Sequence, residues 1–151
     1  MNNEQLKEII AKIDSTAEIS EKQYLTVVVS RELCFSLAKN LKENNETKFD
    51  YLINLTGVHL KEGFEIVYHL NSTTYNHTIV LKTKTADQEN PTFDSVFQIW
   101  KSAEFHEREY FDLMGIKFNN HPDLRRIFLE DDWVGFPLRK DYVDEQNIVE
   151  R

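Results

Sequence analysis

One cysteine, Cys34, occurs in the 151 residues, which excludes an intramolecular disulfide and any iron-sulfur cluster or zinc site drawing four cysteines from this chain. A reducing compartment is expected. Glycine is also scarce. Gly57, Gly63, Gly115 and Gly135 stand too far apart to form a GxGxxG turn or a P-loop, so the usual dinucleotide, flavin and nucleoside triphosphate sites are not expected. No apolar run approaches the roughly 20 residues needed to span a bilayer. Residues 1–13 alternate Glu and Lys with Leu6, Ile9, Ile10 and Ile13, the pattern of neither a signal peptide nor a transit peptide. A basic excess is missing too: 18 Lys and Arg face 26 Asp and Glu, for a formal net charge of -8. Nucleic acid and anionic lipid are therefore disfavoured partners, and direct membrane insertion is not expected. What remains is one domain's worth of chain, large enough to bury a core without disulfide or metal.

Periodicity supplies the elements. Leu6, Ile9, Ile10 and Ile13 predict a first helix, and residues 24–29 a β-branched strand. Ser30 then reads as the N-cap of a second helix carrying the stripe Leu33, Cys34, Leu37, Ala38 and Leu41. A strand follows over 49–56, stopped by Gly57. Phe64, Ile66, Tyr68 and Leu70 alternate with more polar residues, 78–84 repeats the pattern, and the two predict a hairpin through 72–76. A helix between the first two strands suggests a crossover. The expected fold class is α+β: a two-layer, mixed, largely antiparallel sheet with helices on one face.

Beyond Asp87 the chain changes character. All three prolines and both tryptophans lie from Pro91 onward, and five of six arginines follow Lys101 whereas ten of twelve lysines lie at or before it. Arginine's planar fork suits buried or interfacial ion pairs better than lysine does, so this part of the chain reads as built to be covered. Residues 92–115 are expected to be helical, with a break near Lys101 and Gly115 as the stop. On such a helix Glu104, Arg108 and Asp112 fall at i,i+4 spacing, so one arginine could sit between two carboxylates. A solvated ladder of this kind contributes only a few tenths of a kcal/mol per pair. The neighbours Phe105, Tyr110, Phe111, Leu113 and Met114 leave little room for a polar face, which points to a buried or interfacial network instead.

His106, Glu107, Glu109, His121 and Asp123 lack metal-ligand spacing, and His121 reads as a structural histidine at a turn with Asp123 paired to Arg125 or Arg126. Residues 130–151 are broken by Pro and Gly and rich in aromatics. They predict an extended C-terminal docking arm appended to an α+β core over 1–129 that includes the helix. Trp133, Phe136 and Tyr142 beside Arg139 have the composition of an interface anchor set.

The spacing Glu107-Arg108-Glu109, two residues, Asp112, Leu113-Met114, six residues, His121, three residues, Arg125 closely resembles the C subunit of respiratory complex I, the 30 kDa subunit family of NADH:quinone oxidoreductase. Residues 132–142, Asp-Trp-Val-Gly-Phe-Pro-Leu-Arg-Lys-Asp-Tyr, match that family's later pattern. Two departures are visible: Phe105 stands where the family usually has Trp, and a Pro common after the equivalent of Trp100 is absent. The resemblance implies a non-redox structural subunit of the peripheral arm of a proton-pumping NADH:quinone oxidoreductase, peripheral on the cytoplasmic side of the bacterial inner membrane and not fused to the D subunit. The enzyme would be the assembly, with no catalytic, metal or cofactor-binding residue in this chain. FMN, iron-sulfur clusters and quinone would be carried by partner subunits, and the partners would be the D, B and I subunits of complex I. Expected subunit-interface residues are Glu107, Arg108, Glu109, Asp112, His121, Arg125, Arg126, Trp133, Arg139 and Tyr142. The alternative is the equivalent subunit of a membrane-bound [NiFe] hydrogenase or of an F420H2- or ferredoxin-driven relative.

Overall fold

A computed structural model describes residues 2–144. The first helix, α1 (Asn3–Ile13), opens with a reciprocal capping box between Asn2 and Gln5 and buries Leu6 and Ile10. Next come β1 (Glu18–Glu21), β2 (Leu25–Val28) and α2 (Arg31–Glu43). Cys34, Leu37, Ala38 and Leu41 form the buried stripe of α2, but Leu33 at the edge of that stripe is exposed. Ser30 occupies the N-cap without a side-chain hydrogen bond. The short strand β1 was not apparent in the sequence, because its residues Glu-Ile-Ser-Glu are mostly exposed and carry little apolar alternation.

Three long strands follow: β3 (Tyr51–Leu60), β4 (Gly63–Ser72) and β5 (His77–Thr85). With β1 and β2 they form one sheet in the order β1-β2-β5-β4-β3, antiparallel except for the parallel pair β2–β5. The architecture is therefore α+β with a mixed, mostly antiparallel sheet, and the β4–β5 hairpin turns where the alternation ends. Gly57 does not stop β3. It pairs with Ile66 in mid-strand, and a Cβ there would lie 2.7 Å from Cδ1 of Tyr110. The missing side chain makes room for an aromatic ring of the third helix, a tertiary reason that no local pattern carries.

Residues 92–115 are not one broken helix. They begin with β6 (Thr92–Asp94), pass through turns, and become helical only in α3 (Ala103–Met114). β6 pairs in parallel with β7 (Lys117–Asn119) as a separate two-stranded sheet. Gly115 ends α3 as expected, in the left-handed conformation at φ 70°, its N–H donating to the Phe111 carbonyl.

One face of the main sheet holds the core. Phe64, Ile66, Tyr68 and Leu70, alternate residues of β4, are buried with Leu55 of β3 and Ile79 and Leu81 of β5. Tyr68 meets Cys34 of α2 on that face, and Gly57 meets Tyr110 of α3 on the same face. All the fully packed core residues precede Asn119 in the chain. Residues 119–144 are thus layered onto a core already complete in apolar terms.

Candidate functional site

Three charged residues of α3, Glu107, Arg108 and Asp112, are buried. Burying charge is costly unless each group finds partners, and each does so outside its own helix. Glu107 Oε2 accepts from the Ser95 hydroxyl at 2.6 Å and Oε1 from the Val96 N–H at 2.8 Å. Both donors are neutral. Burial pushes the Glu107 carboxyl up to about 7, and those two hydrogen bonds only partly oppose the rise. His121 Nε2 stands 4.0 Å from Glu107 Oε2, with both side chains fully buried. The Asp123 N–H donates to His121 Nδ1, so the ring carries its proton on Nε2, which lies 3.0 Å from the Glu104 carbonyl.

Arg108 does not sit between Glu104 and Asp112. Its Nε and Nη2 donate to the carbonyls of Arg125 and Arg126, each at 3.1 Å. The long stem carries the guanidinium past the helix surface to the incoming loop, where carbonyls otherwise denied water need donors. Asp112 is committed in the same direction. Its Oδ2 accepts three successive backbone N–H groups, from Ile127 (3.1 Å), Phe128 (2.7 Å) and Leu129 (3.0 Å), while Oδ1 pairs with Arg126 at 2.9 Å. Burial raises the proton affinity of this carboxyl, but the three N–H groups and Arg126 outweigh it and hold the group below the usual carboxylate range.

Arg126 extends the network into the arm. Besides Asp112 it donates to the carbonyls of Trp133 (3.1 Å) and Gly135 (3.2 Å), and its guanidinium lies 5.1 Å from the centre of the Phe136 ring. Arg139 lies over that ring at 4.9 Å and over Phe64 of β4 at 5.2 Å, with its Nε donating to the Met114 carbonyl at 2.6 Å. Phe64 stacks on His59 of β3 with centroids 4.3 Å apart. A chain of ring and guanidinium contacts thus runs His59, Phe64, Arg139, Phe136, Arg126. Backbone bonds from Leu138 N–H to the Leu113 carbonyl (2.9 Å) and from Lys140 N–H to His59 Nδ1 (3.0 Å) fasten the arm at the same place.

Six of the ten expected interface residues, Glu107, Arg108, Asp112, His121, Arg126 and Arg139, are thereby brought into one connected arrangement. Among the described residues, the side chains of the other four make no hydrogen bond within it. Arg125 contributes its carbonyl, while its exposed side chain pairs with Asp123 at 2.9 Å. Glu109 is half-buried beside Tyr110. Trp133 is exposed and lends only its carbonyl, and the half-buried Tyr142 ring covers Gly135. Residues 145–151 of the arm lie outside the described residues. Sequence reasoning missed Ser95, Val96, His59 and Phe64, which hold these side chains from distant elements, and no motif marks them. Phe136 was marked by the sequence as one of an aromatic anchor set beside Arg139, and its ring lies against that guanidinium.

The arrangement holds and orients the loop and arm against α3. Among the described residues no group of three or more His, Cys, Asp or Glu side chains is placed to hold a metal ion. Burial pushes the Cys34 thiol up to about 12, leaving it unreactive. No helix among the described residues is long and apolar enough to cross a membrane.

Comparison with known proteins places this geometry. Residues 27–147 match the family model described as respiratory-chain NADH dehydrogenase, 30 Kd subunit. The NADH-quinone oxidoreductase C subunit of a Roseiflexus species is 43% identical over 120 residues, covering 78% of this chain and 68% of the relative. The fused NADH-quinone oxidoreductase C/D subunit of Phocaeicola vulgatus is 50% identical over 108 residues, covering 71% of this chain but 21% of the relative. The chain thus spans about a fifth of the fused relatives it matches. Among solved structures, a chain of the membrane-bound sulfane sulfur reductase, an archaeal respiratory membrane complex, superposes with a TM-score of 0.80 at 25% identity, covering 95% of this chain and 86% of that one. The matched span includes the buried charges of α3, the His121 turn and the arm as far as it is described, and on it the chain belongs to the family of the respiratory-chain NADH dehydrogenase 30 Kd subunit.

Proposed function

We propose that this chain is a non-redox structural subunit in the peripheral arm of a proton-pumping NADH:quinone oxidoreductase, contacting the D, B and I subunits on the cytoplasmic side of the membrane. One observation carries the reading: Arg108, Asp112 and Arg139 of the family pattern are spent on internal hydrogen bonds that fasten the loop and arm to α3. Groups so committed are poor acids, bases or ligands and good supports. In this reading the chain holds no redox centre, FMN, iron-sulfur clusters and quinone belong to the partner subunits, and the chain helps fix the geometry through which electrons pass between them.

Deleting the chain is expected to abolish NADH-driven quinone reduction in membranes, with activity returning on expression of the wild type. The purified chain should contain no iron or flavin by metal analysis and absorbance. A stoichiometric chromophore in it would overturn the scaffold role. The likeness to a chain of an archaeal sulfane sulfur reductase complex favours a second reading, the equivalent subunit of a hydrogenase or of an F420H2- or ferredoxin-driven assembly. Assaying the purified complex with each electron donor separates the two.

A further inference from the structure

The loop between Arg126 and Gly135 combines two properties that seldom coincide. Its backbone is fixed at many points: Asp112 accepts three consecutive N–H groups at one end, and Arg126 donates to the Trp133 and Gly135 carbonyls at the other. Yet three of its five large apolar side chains are exposed, while Ile127 and Leu129 are half-buried. Phe128 is 65% exposed, Val134 88% and Trp133 40%. Between them stand three consecutive exposed carboxylates, Glu130, Asp131 and Asp132, none of which takes part in an ion pair among the described residues. Arg125, whose guanidinium is paired with Asp123, is a cation that senses Asp131.

An exposed aromatic on a floppy loop can fold back on its own core, whereas one held outward by an internally satisfied backbone cannot. Such a loop has already given up the conformational entropy that binding would otherwise cost. We propose that residues 128–134 are a preorganised docking loop whose occupant is a partner subunit presenting an apolar groove rimmed by Lys and Arg. This rests on the peripheral-arm reading above and deepens it. Charge complementarity selects the occupant: three unpaired carboxylates, in a chain of net charge -8, repel a second copy of the chain and an anionic lipid surface alike. The buried charges of α3 then act as supports behind the loop, and the contact itself falls to Phe128, Trp133 and Val134.

The test measures binding of the full chain to the purified D, B and I subunits in turn, at several salt concentrations. The double variant Phe128→Ala/Val134→Ala should weaken the complex roughly 30-fold or more, as hot-spot truncation does. Neutralising the carboxylates (Glu130→Gln/Asp131→Asn/Asp132→Asn) should slow association and flatten its salt dependence. Tyr51→Ala, which removes an exposed aromatic from β3, should change neither quantity, and all variants should keep the wild-type unfolding midpoint. Wild-type affinity in the double variant, or an unchanged salt dependence in the neutralised one, overturns the docking loop while leaving the subunit reading intact. Concentration-dependent self-association abolished by the double variant would name a second copy as the occupant and overturn the proposal. A wild-type chain that binds none of the three subunits overturns the subunit reading and this inference together.

Discussion

Glu107 shows how one residue's surroundings set its chemistry. The carboxyl is fully buried with two neutral donors, and the guanidinium of its neighbour Arg108 is turned toward the loop carbonyls. Its proton affinity in the folded chain is raised from the ordinary glutamate value to about 7, so the folded state keeps a proton that the unfolded state has released. Stability should accordingly be greatest below the unfolded value, fall as pH rises toward 7, and level off above it. Glu107→Gln removes the titration and can still accept from Val96 and donate to Ser95. We expect the variant to match wild type near pH 4 and to exceed it at pH 8 by up to about 3 kcal/mol. Urea unfolding at a series of pH values reads this directly, and a constant difference between the two proteins across that range would show that Glu107 keeps its ordinary proton affinity on folding. Nothing local in Glu-Arg-Glu distinguishes Glu107 from the half-buried Glu109 two residues on.

At the scale of the element, α3 is defined by what it leans on. Gly57 admits Tyr110 to the sheet, and Gly115 admits the arm. At Gly115 two demands coincide: the backbone is left-handed at φ 70°, and a Cβ would come within 2.7 Å of Phe136 and 2.8 Å of Arg139. Gly115→Ala should cost about 1 kcal/mol for the conformation alone and more for the displaced ring and guanidinium. The expected signature is a lowered unfolding midpoint together with faster tryptic cleavage at Arg139 and Lys140, since the same substitution loosens both. A midpoint shift without faster cleavage would mean that the arm is held independently of Gly115. The C-terminal stop of α3 was legible because left-handed caps favour glycine. Its N-terminal boundary was not, because residues 92–102 are apolar enough to read as helix, while β6 forms only by pairing with β7, a partner 25 residues away.

For the whole molecule the question is how far core and arm are separate. The packed core contains no residue of the arm, yet the arm supplies two of Arg126's acceptors, the cover over Gly115 and the guanidinium over Phe64. Truncation after Leu129 should therefore leave the five-stranded sheet folded, with a largely native far-ultraviolet circular dichroism spectrum. Stability should drop by about 2 to 4 kcal/mol as charge-assisted hydrogen bonds and cation–π contacts are lost. Loss of cooperative unfolding in the truncated chain would show that core and arm are one folding unit.

The sequence by itself determined the fold class, most of the long elements and the family, because strand and helix periods are local properties and motif spacing is written along the chain. The tertiary structure alone decided where each charge went. Glu104, Arg108 and Asp112 have ladder spacing, but Arg108 turned to carbonyls 17 and 18 residues onward and Asp112 to N–H groups 15 to 17 residues onward. His59, in a strand where it carried no visible role, receives a backbone N–H from Lys140, 81 residues away. Spacing fixes which side chains share a helix face. Which partner a buried charge takes depends on which unsatisfied donors and acceptors the rest of the chain delivers beside it, and that is settled only when the loop and arm close over the sheet.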